Sequence, residues 1–455
     1  MAFLDSKYLL GSESALGIFS KIQNLPIVDP HNHADVAEIA RNTKYSDPWQ
    51  VFAATDHYVW EVMRKREVPE NLITGSATPK EKWMALAKVM PEIAGNPVFE
   101  WIHLDLRRRF GIETILTSET AEDMWEEVKA ALAVPSKYPL PLLKEMNVEV
   151  MCSTDDPIDT LEHHGEVNAA ANRTLIRPTW RPDKSKRIRK KDWKEYIQKL
   201  SERFQIKIDS VGKLVEAMKL SHKYFEEHGC RASDHDTPFV CPCTATEADA
   251  DAIFQKAMAG KDISDAEFAV YADYLTARYA EMDAEAGWVY QMHIGVRRDV
   301  RDIITNTLGP DAGGDVSDHW VDIVMPLCSF LNHTDEKLKV VLYTLEPSHT
   351  SSLATVARAF GSKVRLGSAW WLNDTPIGMK RQLEYIGSVD VWYDFAGMVS
   401  DSRKILSYAS RFEMFRRVLA DVLGDAVEMG KLPYLFAENL AVKMAYEEPK
   451  KFFNL

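Results

Sequence analysis

The sequence predicts an α/β chain whose strands close into a single (β/α)8 barrel. Eight short apolar or β-branched runs recur along the 455 residues, and helical patterns separate them. Strand–helix alternation argues for a parallel sheet, and eight units suggest closure. Apolar residues make up 46 % of the chain, enough for one large interior.

The runs follow in order. "PIVD" (26–29) comes first, and "VEVMCS" (148–153) is the second strand. Residues 35–147 between them far exceed a normal crossover. Their segments "DHYVWEVMRKR", "PKEKWMALAKVM" and "SETAEDMWEEVKAAL" favour helix, so this stretch reads as a helical lobe inserted after strand 1. "TLIRPTW" (174–180) is the third strand, and "DWKEYIQKLSERF" is an amphipathic helix after it. "CRASDH" (230–235) is taken as the fourth mainly because the count needs it. Residues 244–286 form a smaller helical insertion, before "WVYQMH" (288–293), "KVVLYTL" (339–345), "KVRLGS" (363–368) and "VDVWYDF" (389–395). "SYASRFEMFRRVLADVLGDAVEMG" is a closing helix with Gly430 at its C-terminal boundary. The whole of 1–455 is thus one barrel domain carrying two inserts.

A net charge of −13 argues against a nucleic-acid or anionic-membrane partner, though local arginines can still hold an anionic small molecule. Five cysteines, from Cys152 to Cys328, do not resemble a disulfide framework, and Cys241 and Cys243 of "VCPCT" read as plain thiols. The opening "MAFLDSKYLLGSES" lacks the apolar segment of a signal peptide, and no apolar run approaches the length of a membrane span. The expectation is a cytoplasmic enzyme with a small-molecule substrate; a homo-oligomer stays open.

In a barrel, chemistry gathers where the strands end. "LPIVDPHNHAD" ends the first strand with His31 and His33. On extended chain, side chains two apart point the same way, with α-carbons roughly 6.6 Å apart. Two imidazoles so placed can share one divalent ion; hydrogen-bonded core histidines are the alternative. Asp401, a few residues beyond the eighth strand, is the candidate third ligand, or else a helix N-cap. Imidazole and carboxylate suit zinc, with manganese or another ion as alternatives. No lysine ends strand 4 to bridge two ions, so one metal is expected. His293 closes strand 5 as a further ligand, a proton-transfer group or a core residue. Arg181, after strand 3, and Arg403, two residues past Asp401, present planar forks suited to a carboxylate. Trp370 and Trp371 end strand 7, as a sugar wall or as packing.

These segments together resemble the uronate isomerase (glucuronate isomerase) family of the amidohydrolase superfamily. "VDPHNH", "DHYVW", "GNPVFEWIHLDLRRRFGI", "TDDPIDTLEHH", "PTWRPDK", "HGCRASDH", "QMHIGVRRD", "GSAWWLND" and "DSRKILSY" resemble family segments in the same order. The resemblance implies a barrel of the metal-dependent hydrolase type. It implies metal ligation by His31, His33 and Asp401, with Asp401 the favoured base. Substrate-facing groups fall on His57, Tyr58, Arg181 and Arg403, and His293 matches the strand-5 histidine. In "SRFEMFRR", Phe412 and Met414 stand where relatives carry His and Tyr, which leaves open any substrate contact by Arg411. The implied reaction interconverts D-glucuronate with D-fructuronate, and D-galacturonate with D-tagaturonate. A hydrolase on the same scaffold and a non-catalytic sugar-acid binder are the rival readings.

Overall fold

A computed structural model of the chain describes residues 3–170 and 174–455. Strands β1 (Ile27–Asp29), β2 (Val148–Cys152) and β3 (Leu175–Arg177) pair in parallel in that order. A second parallel sheet runs β4 (Ala232–Thr237), β5 (Val289–Ile294), β8 (Lys339–Thr344), β9 (Val364–Leu366). Between β5 and β8 lies a short antiparallel ribbon, β6 (Val296–Arg297) with β7 (Val316–Ser317).

Two seams join the parallel sheets. At the first, Trp180 pairs with Asp155 on one side and Ser233 on the other, its amide donating to Ala232 O at 3.2 Å. At the second, the extended segment 395–400 takes the eighth position. Ala396 N donates to Leu366 O at 2.9 Å, and Ser400 N donates to Asp29 Oδ1 at 2.9 Å. The eighth strand was expected at 389–395; that stretch instead ends a helix at Val389 and makes a 3-10 turn over Trp392–Asp394. The reason is local. Trp392 donates its indole N–H to Leu383 O and its ring fills the space beside Gly387, so "VDVWYD" closes back on its own helix.

Between β1 and β2 the chain is helical, from Val36–Arg41 through His57–Lys65 and Pro97–Phe110 to Pro139–Glu145. Helices Glu247–Met258 and Asp265–Ala286 occupy the stretch before β5. The long helix Ser407–Glu428 packs on the first helix, Glu13–Ile22. Gly424 permits that approach, because a Cβ there would stand 2.7 Å from Ala15 N. No described helix is long and apolar enough to cross a membrane.

Candidate active site

The strand ends open into a cavity of about 310 Å³ whose wall includes His31, His33, His57, Tyr58, Arg181, His293, Trp370, Trp371, Asp401 and Arg403. Every site residue expected from the sequence therefore stands around one space. The barrel supplies most of them, and the helix His57–Lys65 of the inserted stretch supplies two.

Asp401 is the centre. Its Oδ1 lies 3.3 Å from His31 Nε2 and 3.2 Å from His33 Nε2. Four ligands at about 2.0–2.1 Å from a tetrahedral ion stand about 3.3 Å apart. The spacing therefore fits a small divalent ion, and the three donor atoms lie within 4.8 Å of one another. Backbone bonds hold the trio: Asp401 N donates to His31 O and His33 N to Ser402 O. Asp401 itself sits at φ +48, a left-handed geometry that costs a non-glycine residue on the order of 1–3 kcal/mol. Burial would raise its carboxyl, but hydrogen bonds from His31 and His33 outweigh that and hold it well below the usual range. Burial lowers His33 to about 4, so its ring is neutral at physiological pH.

Asp234, fully buried on β4, went unnoticed in the sequence. His293 Nδ1 lies 2.8 Å from its Oδ1, and His31 Nδ1 is 3.8 Å from Oδ2. His31, Asp234 and His293 make a second metal-competent trio. Arg181 already meets that carboxylate, its Nη1 3.0 Å from Asp234 Oδ2, while its Nε donates to Asp183 Oδ2 at 3.0 Å. Burial opposes both charges of this pair. Their mutual attraction prevails, lowering the acid and raising the base. Asp234 is thus balanced by a guanidinium, whereas Asp401 has no arginine ion-pair partner among the described residues. His293 stacks at 4.6 Å on Tyr343, whose ring occupies the room left by Gly367. Its pKa is lowered, burial outweighing Asp234.

The two arginines differ. Arg181 is bound by two acids, while Arg403 is exposed and has no carboxylate partner among the described residues. Trp370 is more than a wall: its indole Nε1 donates to Asp401 Oδ2 at 3.0 Å. Trp371 lies under the Arg298 guanidinium at 5.6 Å. The Tyr58 hydroxyl is buried with no hydrogen-bond partner among the described residues. His57 is lowered to about 4 by burial and then by the Arg403 charge. Arg411 is buried, donating to Asp374 Oδ2 and to Ser400 O, with its guanidinium 4.7 Å from the Tyr58 ring centre.

This chain is similar to known proteins over its whole length. It is 47% identical over 451 residues to the uronate isomerase of Thermotoga neapolitana, covering 99% of each chain. To that of Caldicellulosiruptor saccharolyticus it is 36% identical over 463 residues, again with 99% of each covered. Its fold superposes on the crystal structure of the Thermotoga maritima uronate isomerase with a TM-score of 0.97 at 46% identity, all of both chains covered. The glucuronate isomerase of Caulobacter crescentus gives 0.94 at 25% identity, covering 99% of this chain and 97% of that one. A family model described as glucuronate isomerase matches residues 1–453, and with these relatives it shows that the chain belongs to the glucuronate isomerase family.

Proposed function

We propose that this isomerase interconverts D-glucuronate with D-fructuronate, and D-galacturonate with D-tagaturonate, by proton transfer through an enediol. The observation that carries the reading is the convergence on one cavity of an ionised carboxylate, a neutral imidazole and a buried phenol. Aldose–ketose exchange removes the proton beside a carbonyl and returns it at the next carbon. Asp401, held ionised, is the base in this reading. His57 and Tyr58 move protons on the sugar oxygens. Arg403, with no carboxylate partner among the described residues, takes the substrate carboxylate, and Arg181 orients the substrate while neutralising Asp234. Trp370 and Trp371 flank the sugar, and His293 stands by as a further proton carrier.

The ion assigned here is zinc, held by His31, His33 and Asp401. Bound there, it would supply positive charge beside the substrate oxygens that gain negative charge in the reaction. We infer a reducing, cytoplasmic setting, supported by five cysteines that are all unbridged.

Incubation with D-glucuronate, and separately with D-galacturonate, in deuterated water tests the reaction by NMR. Isomerisation yields a ketose acid of unchanged formula apart from solvent deuterium. A hydrolase yields nothing from these substrates, and a binder only shifts or broadens their signals. Absence of turnover of either sugar by folded, metal-loaded protein would reject the proposal.

A further inference from the structure

We propose that Lys404 and Arg411 are positioning residues, two buried cations that hold the helix carrying His57 and Tyr58 in register with the Asp401 loop. The inference rests on the reading that His57 and Tyr58 handle substrate protons, and it adds what sets their place. The problem is geometric. Asp401 belongs to the barrel, whereas His57 and Tyr58 belong to the stretch inserted after β1. Chemistry across that seam needs both sides fixed to within about half an ångström.

Lys404 lies three residues beyond Asp401 and is buried. Its Nζ stands 2.6 Å from Asp56 Oδ2 and donates to Phe52 O at 2.7 Å. Phe52 ends the helix Pro48–Phe52, where carbonyls lack partners within the helix. Asp56 is the N-cap of the next helix: its Oδ1 accepts from Tyr58 N at 2.9 Å and Val59 N at 3.3 Å. One ammonium therefore joins the end of one helix to the cap of the next. The cap in turn sets the backbone at His57 and Tyr58, the first two residues of that helix. On the barrel side, Lys404 N donates to Ser402 Oγ, and Ser402 O accepts from His33 N. The root of the lysine is thus tied to the loop that presents Asp401 beside the histidines.

Arg411 fixes the other flank. Its guanidinium lies 4.7 Å from the Tyr58 ring centre and 4.2 Å from that of Trp101, and those two rings meet edge to face at 5.2 Å. Its Nη1 donates to Asp374 Oδ2 and to the carbonyl of Ser400, the residue before Asp401. Tyr58 is held on one side by its helix cap and on the other by a cation anchored to the Asp401 segment.

A buried cation could instead serve only to neutralise Asp56, and a double variant separates the two roles. Lys404→Met, Asp56→Asn, their combination, Lys404→Arg and Arg411→Lys are compared with wild type as full-length, metal-loaded protein. Lys80→Met, an exposed lysine paired with Glu122 and Glu126 in the same inserted stretch, is the control. The expected result for Lys404→Met is a fall in kcat of about 10²-fold, with KM within about threefold and metal content unchanged. Lys404→Arg recovers part of the loss, and Arg411→Lys lowers kcat in the same sense. Amides of the helix His57–Lys65 should exchange about tenfold faster in Lys404→Met while those of β4 and β5 do not change. The double variant should regain melting temperature, because no charge is left buried alone, yet keep the low kcat and fast exchange. Recovery of melting temperature, kcat and exchange together in the double variant would overturn the proposal. So would a rise in KM with kcat intact, which would make Lys404 a substrate contact. Should Lys404→Met fail to fold, the double variant carries the test. The exchange readout needs no substrate, so a wild type that turned over no uronate would reject the proposed reaction and leave the positioning measurable.

Discussion

Trp370 donates its indole N–H to Asp401 Oδ2 across 3.0 Å, and the carboxylate's other oxygen faces His31 and His33. The indole thus decides which oxygen is offered to the imidazoles. A carboxylate free to rotate about its last bond would present either edge. Hydrogen bonds to a ligand's far side are the usual means of stopping this.

Trp370→Phe keeps a ring against His293 but deletes that donor. The expected outcome is a loss of about 10- to 100-fold in metal affinity or turnover, with little loss of fold. Metal titration alongside steady-state kinetics checks it, and wild-type values in both would show that Asp401 needs no such tether.

Protein purified without chelator should carry one divalent ion per chain, and His31→Ala or Asp401→Asn should remove it. The neutral state of His33 means no net proton need be released there at pH 7. Elemental analysis decides. A content below about 0.1 ion per chain, unaltered by His31→Ala, would delete the site.

Much of this arrangement was legible in the sequence, and the omissions have physical causes. His31, His33, His293 and Arg181 are found from strand ends alone, because barrel geometry sends those positions into one mouth, whereas Asp401 was reached from a strand placed too early in the chain. β4 was hard to recognise because its buried side chains are polar. Ser233 and His235 bond to each other at 2.7 Å, Ser233 also reaches Asp283, and His235 stacks on Tyr290 at 3.7 Å. An apolarity pattern misses such a strand, and with it went Asp234. The eighth strand was misplaced by five to six residues because "VDVWYDF" has strand-like composition, while "FAGMVS" gains its place only from partners on β9 and Asp29. The bond from Trp370 to Asp401 joins residues 31 apart, and no local pattern encodes it.

His57 gives a pH prediction with a definite sign. Its folded pKa is about 4 against an ordinary 6.5, depressed by burial and then by Arg403. The folded state favours the neutral ring, so the stability it contributes is whole above pH 6.5 and is lost as pH falls towards 4. Denaturant unfolding at pH 7.5, 6 and 5 should show that fall, and His57→Gln should flatten it. Arg403→Met should move the imidazole back towards its ordinary value, read by NMR of labelled histidine. A His57 titrating near 6.5 in the wild type would contradict the burial on which this rests.

The two arginines should fail in opposite ways. Arg181 balances Asp234 inside the barrel, so Arg181→Met leaves a buried carboxylate without its cation. Breaking such a pair costs about 3–5 kcal/mol, and the melting temperature should fall by several degrees along with activity. Arg403 is exposed and has no acid partner among the described residues, so Arg403→Met should leave melting unchanged. Its loss should appear as about a 10²-fold drop in kcat/KM for a uronate, because an oriented, charge-assisted contact is removed. A neutral sugar lacking the carboxylate should be turned over no worse by the variant than by the wild type. Melting curves and kinetics on both variants check the contrast. A stable Arg181→Met would show that Asp234 is neutralised by something other than the guanidinium, and unchanged kinetics in Arg403→Met would remove it as the carboxylate's partner.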